Sequence, residues 1–109
     1  MRVLLYALLV VAIAALLIAC EQQPGEITGR AFRADGRPAS VKVQVVDAKG
    51  TVVFEGSSDY LSGSWYTGET IKPGTYTVCY FSATGEHYEG KDQQVTVRTG
   101  GSEAVSQTL

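Results

Sequence analysis

Past residue 25, apolar residues in this chain recur at every second position. Val41, Val43 and Val45 alternate with Lys42 and Gln44. Tyr76, Val78 and Tyr80 alternate with Thr77 and Cys79, and Val95 and Val97 flank Thr96. A period of two sets such residues on one face of an extended chain, whereas a helix would scatter them around its axis. The types involved are β-branched and aromatic, which suit a pleated, half-buried surface. Turn-forming clusters cut the pattern into short pieces: ADGRP at 34–38, DAKG at 47–50, KPG at 72–74, ATGE at 83–86 and TGG at 99–101. Strands are therefore predicted at 26–33, 40–47, 51–56, 64–67, 75–82, 93–99 and 103–108. Seven short strands joined by tight turns predict an all-β domain built as an antiparallel sandwich. Trp65, entered through Gly63-Ser64, is expected as the large core plug rather than as an exposed ligand platform. Tyr76 is expected as a core ring with a wet hydroxyl.

The first nineteen residues obey a different rule. Arg2 is charged, and Val3 to Ala19 then hold no charge, no Pro and no Gly. A basic start followed by an apolar run ending in small residues describes a helical secretory signal peptide. A membrane-spanning anchor, which takes roughly 18 or more apolar residues, is the alternative on length alone. Leu17-Ile18-Ala19-Cys20 decides between them, because it resembles the lipobox of bacterial lipoproteins. That resemblance implies cleavage between Ala19 and Cys20 and a diacylglycerol on the Cys20 thiol. Each buried methylene contributes about 0.8 kcal/mol, so two or more acyl chains hold a protein stably on a bilayer. The expected organisation is a signal peptide at 1–19, a tether with the lipidated cysteine at 20–25, and a β-domain at 26–109. Glu21 is not the aspartate that resembles an inner-membrane retention signal. The resemblance thus implies a lipid-anchored protein, on the outer membrane facing periplasm or cell surface if the cell is Gram-negative.

The formal net charge is −2, with Lys and Arg dispersed. Nucleic-acid binding needs clustered basic residues, so no nucleic acid is expected as a partner. With Cys20 lipidated, Cys79 has no partner for an intramolecular disulfide. By strand alternation it shares a face with Phe81, opposite Tyr76, Val78 and Tyr80. A covering strand or loop is the expected shield for it, and a contact with a partner is the alternative.

The order of the turn and strand signals carries a second resemblance. Ile27, Gly29, Asp35-Gly36-Arg37-Pro38 and the alternating valines 41, 43 and 45 come first. Gly63-Ser64-Trp65 and Ile71-Lys72-Pro73-Gly74-Thr75-Tyr76 follow. This succession resembles the carboxypeptidase regulatory-like domain, a transthyretin-like (prealbumin-like) fold, over 26–109. It implies a seven-stranded antiparallel Greek-key sandwich, a fold that serves many roles. One hydrolase branch of the transthyretin-like group carries several histidines and a C-terminal Tyr-Arg-Gly-Ser-like motif. This chain has a single histidine and ends Ser106-Gln107-Thr108-Leu109, so that activity is not carried over. Adhesin relatives staple strands through Lys–Asn or Lys–Asp amide bonds. The chain has no Asn, and Lys42, weighed against Asp92 for such a bond, is accounted for as a surface lysine.

No convergent chemistry is evident along the chain. His87 lies in TGEHYEG with Glu86 and Glu89 nearby, a pattern that reads as a solvated loop and not as three or four metal ligands. No metal, no cofactor and no catalytic residue is expected. Tyr60, Leu61, Tyr66 and Tyr88 include aromatics in or beside loops and are the candidate binding surface. The expected function is a membrane-anchored, non-enzymatic binding or structural module whose partner is an envelope protein or glycan. The alternatives are a periplasmic regulator or inhibitor of a hydrolase, using the loop at 57–63, and a small-molecule or glycan binder using Trp65 and Tyr66.

Overall fold

The computed structural model describes residues 23–109. The signal peptide expected at 1–19, its cleavage site at Ala19–Cys20 and the lipidated Cys20 lie outside the described residues. Seven strands follow in order: β1 (Glu26–Phe32), β2 (Lys42–Val46), β3 (Val52–Ser57), β4 (Ser64–Tyr66), β5 (Gly74–Phe81), β6 (Gln93–Val97) and β7 (Ser102–Thr108). Every predicted strand is present, with ends displaced by no more than two residues.

The strands form two sheets, ordered β4-β1-β7 and β3-β2-β5-β6. The four-stranded sheet is antiparallel throughout. The three-stranded sheet is mixed: β1 pairs antiparallel with β4 but parallel with β7, from Glu26↔Ser102 to Phe32↔Thr108. The expectation of a wholly antiparallel arrangement is corrected here. Alternation reveals which residues face the core, and it is blind to the direction of the neighbouring strand.

One core lies between the sheets. Ile27 and Ala31 from β1 meet Val43 and Val45 from β2, Tyr76, Val78 and Tyr80 from β5, and Val95 and Val97 from β6, all buried. Trp65 is 4% exposed and fills the core as predicted. Its ring stacks with Phe54 at 6.4 Å and meets Tyr80 edge-on at 6.5 Å, joining β4 to both β3 and β5. Tyr76 is buried with its hydroxyl donating to the Lys72 carbonyl. Gln93 stitches the sheets along another edge: its Oε1 accepts from the Tyr80 hydroxyl at 2.7 Å and its Nε2 donates to the Ser106 carbonyl at 2.7 Å.

The two ends of the domain differ. Chain entry is pinned at one end, where the Gly25 N–H donates to the Ile71 carbonyl at 2.7 Å and the Gly100 N–H to the Gln23 carbonyl at 3.1 Å. The domain thus takes up the chain from Gln23, and loops 47–51, 67–73 and 98–101 gather at this entry end. β1 runs away from it for seven residues, about 20 Å at 3.3 Å per residue. Loops 33–41, 58–63 and 82–92 gather at the far end, where the Ala31 N–H donates to Gly63 O and the Leu109 N–H to Phe32 O.

Candidate functional site

Two groups of side chains at the far end offer chemistry. The first is built on loop 58–63. The Asp59 N–H donates to Ser64 O at 2.8 Å, the Gly63 N–H donates back to Asp59 O at 2.7 Å, and the Leu61 N–H donates to Asp59 Oδ1 at 2.7 Å. Gly63 has φ +72°, and a Cβ there would stand 2.2 Å from the Ala31 carbonyl oxygen. Only glycine meets both demands, so the loop returns to β4 tightly. Ser58 anchors its root: the buried hydroxyl donates to Ala39 O at 2.6 Å and accepts from the Val41 N–H at 2.9 Å. The fixed loop holds out Tyr60 and Leu61, 74% and 72% exposed. Tyr60 joins Tyr88, Arg33 and Pro38 around a groove of about 370 Å³.

Of the four aromatic and apolar residues expected to form one surface, the fold brings Tyr60, Leu61 and Tyr88 to this end. Tyr66 stands elsewhere. It lies toward the entry end of β4, on the outer face of the three-stranded sheet, and its hydroxyl donates to the Glu26 carboxylate. That bond holds the Glu26 carboxyl below its ordinary value, with the Ser102 side chain helping, and raises the Tyr66 phenol. An open concavity of about 690 Å³ runs beside Tyr66 past Arg30, Ser64 and Asp59. Trp65 gives it an edge but no free ring face, in keeping with the core plug expected there rather than the alternative of an exposed ligand platform.

The second group went unseen in the sequence. Donor atoms of Cys79, His87 and Asp92 lie within 4.8 Å of one another. Cys79 stands on β5, on the outer face of the four-stranded sheet. One step beyond the last paired residues of β5 and β6, Val78 and Gln93, Asp92 comes level with it. His87 is bridged to Phe81 across the hairpin, and its ring tilts against the Phe81 ring at 5.1 Å. Residues five apart on an unbroken strand point to opposite faces. Here the Tyr88 N–H donates to Tyr80 O, residues 89–91 then turn out, and the Lys91 N–H returns to Tyr88 O at 3.3 Å. That odd insertion, an enlarged bulge, restores His87 and Asp92 to one face. His87 Nε2 and Asp92 Oδ1 are 2.8 Å apart, with both side chains more than a third exposed. Burial raises the Cys79 thiol above its ordinary value, and the charge and hydrogen bonding of Asp92 add to the rise. The solvated loop predicted around His87 is thus one wall of a thiol–imidazole–carboxylate cluster. The signal that could have found it was strand register: Tyr80 and Tyr88, and Cys79 and Asp92, come level only if the hairpin return is bulged.

No known family model matches the sequence, and no curated protein matches it significantly.

Proposed function

We propose that this protein is a lipid-anchored, non-enzymatic module of the cell envelope that offers the far end of its domain to an envelope protein. The domain is read as a carboxypeptidase regulatory-like, Greek-key sandwich, and residues 1–20 as a signal peptide ending on a lipidated cysteine. One observation carries the reading: the chain enters the domain at one end, and Tyr60, Leu61 and Tyr88 stand at the other. Cys20 is three steps from Gln23, at most about 10 Å of chain. Lipid on Cys20 would hold the entry end against the bilayer and turn the aromatic loops outward, about a strand length away. A hydrogen-bonded loop that already holds Tyr60 and Leu61 outward has little backbone freedom to lose on binding, which suits it to protein recognition.

The test has two parts. Metabolic palmitate labelling of the wild type is expected, and Cys20→Ala should abolish it and release the protein from membranes. Crosslinking in intact cells should capture a partner that the paired change Tyr60→Ala with Leu61→Ala loses. Retention of residues 1–19 without fatty acid would overturn the anchor, and unchanged capture by the loop variant would overturn the surface. The tight loop 58–63 also favours a second reading, insertion into the cleft of a hydrolase as an inhibitor. Capture of a hydrolase whose activity falls on binding would select it.

A further inference from the structure

We propose that Cys79, His87 and Asp92 form a binding site for a zinc-class divalent cation, held by one thiolate, one imidazole and one carboxylate, with a fourth position open to solvent. The three donors come from separate places in the chain, and the fold makes them converge. Cys79 is carried on β5, paired with β2 through Gln44↔Cys79. Asp92 immediately precedes β6, and His87 is fixed by its bridge to Phe81. The bulge at 89–91 contributes no ligand, yet without it His87 and Asp92 would diverge. This convergence is independent of the aromatic loop and of the lipid anchor.

The donor set selects the ion. Thiolate and imidazole favour borderline and soft transition metals over magnesium and calcium, which take oxygen ligands. Zinc accepts all three donor types in a tetrahedral shell, and three protein ligands with one open position is a recurring zinc arrangement. With bonds of roughly 2.0–2.3 Å, neighbouring donors of a tetrahedral shell stand about 3.3–3.7 Å apart. The mutual limit of 4.8 Å therefore leaves a contraction of about an ångström, and the 2.8 Å His87–Asp92 hydrogen bond has to open by less than that. Side chains on one fixed strand and two hairpin positions can make both changes through their own torsions. The exposure of His87 and Asp92 gives the ion its path of entry. On binding, the Cys79 thiol proton and any proton on the imidazole nitrogen that takes the metal pass to bulk water, the other ring nitrogen keeps its N–H, and no electron moves.

Cobalt(II) is the probe that reads the ligands directly. The purified full chain in detergent, reduced and stripped with a chelator, is titrated with cobalt and then with zinc. Cobalt should produce a near-ultraviolet thiolate charge-transfer band together with visible bands of tetrahedral intensity, and equimolar zinc should remove both. The band should survive Cys20→Ala and vanish in Cys79→Ser. His87→Gln and Asp92→Asn should each weaken zinc binding by more than about 100-fold, beyond the roughly 10–100-fold typical of residues that only support a ligand. Zinc should also raise the melting temperature of the wild type and leave that of Cys79→Ser unchanged, because only a metal bound to the native state stabilises it. The proposal is overturned if the wild type gives no charge-transfer band. It is equally overturned if Cys79→Ser keeps the band, or if both His87→Gln and Asp92→Asn bind zinc as tightly as the wild type.

Discussion

Gly29 and Trp65 are paired across β1 and β4, and the indole of Trp65 lies where a side chain at position 29 would begin. A Cβ built on Gly29 would stand 2.1 Å from Trp65 Cε2. The ring is buried between the β1 backbone, Phe54 and Tyr80, so it can yield to an added methyl only by displacing packed neighbours. Gly29→Ala should therefore act as an overpacking change and cost about 1–3 kcal/mol. In a domain of this size each kcal/mol lowers the melting temperature by about 4–8 °C. Thermal denaturation followed by Trp65 fluorescence is the measurement. A variant melting at the wild-type temperature with an unchanged emission maximum would mean that the indole is not seated against Gly29.

Ser58 is buried at 6% exposure, and its hydroxyl answers two backbone groups at once, the Ala39 carbonyl and the Val41 N–H. Removing that oxygen leaves a buried amide proton without its acceptor, a cost of about 1–3 kcal/mol. Ser58→Ala should lower stability by that amount in urea denaturation, without changing the slope. Hydrogen exchange should quicken locally at the Val41 amide and through loop 58–63, since the same hydroxyl anchors the loop's root. Uniform quickening over all strands would instead point to a purely global effect.

The fold was legible where a residue's own neighbours decide its place. Val41, Val43, Val45, Tyr76, Val78 and Tyr80 reach the core by a two-residue period that needs no tertiary knowledge. Trp65 was legible as a plug because a large ring beside a Gly-Ser break has no other apolar refuge. The parallel run of β1 and β7 was not legible, since nothing local distinguishes a parallel edge from an antiparallel one. Tyr66 reads like Tyr60 in the sequence, yet the Glu26 carboxylate that engages it is forty positions away. Cys79, His87 and Asp92 escaped for a further reason. Their convergence depends on a bulge at 89–91 whose sequence, Glu89-Gly90-Lys91, resembles any solvated turn.

The Tyr66–Glu26 bond makes a titration prediction. It is the largest cause of the lowered Glu26 value, ahead of Ser102, so Tyr66→Phe should move the Glu26 midpoint up toward 4.5. The sign for stability follows from linkage. A carboxyl held low in the folded state stabilises above its unfolded value, and that contribution fades as pH falls through the folded value. Melting curves of wild type and Tyr66→Phe should therefore differ most above the ordinary carboxylate range and converge in acid. NMR titration of the Glu26 side chain reads the midpoint itself. Identical midpoints in the two proteins would show that the phenol does not donate to Glu26 in solution.

Tyr80 supplies the alkaline counterpart. Burial pushes its phenol up to about 12 from an ordinary 10, and the nearby Trp65 indole N–H counters the rise in part without making a hydrogen bond of ordinary geometry. The hydroxyl donates to Gln93 Oε1, so ionisation would also remove the bond that ties β5 to Gln93, whose Nε2 separately donates to the Ser106 carbonyl. A group whose folded value is raised stabilises fully below its unfolded value and loses that contribution as pH climbs to the folded one. Stability should thus decline between about pH 10 and about pH 12, the interval set by the two Tyr80 values. Tyr80→Phe should be less stable at neutral pH, because Gln93 loses its donor, by about 0.5–1.5 kcal/mol. Its decline above pH 10 should be the shallower of the two. Denaturant melts across that range, paired with tyrosinate absorbance at the folded baseline, measure both effects. Parallel pH profiles for the two proteins would mean that Tyr80 ionises in the folded state as freely as in the unfolded chain.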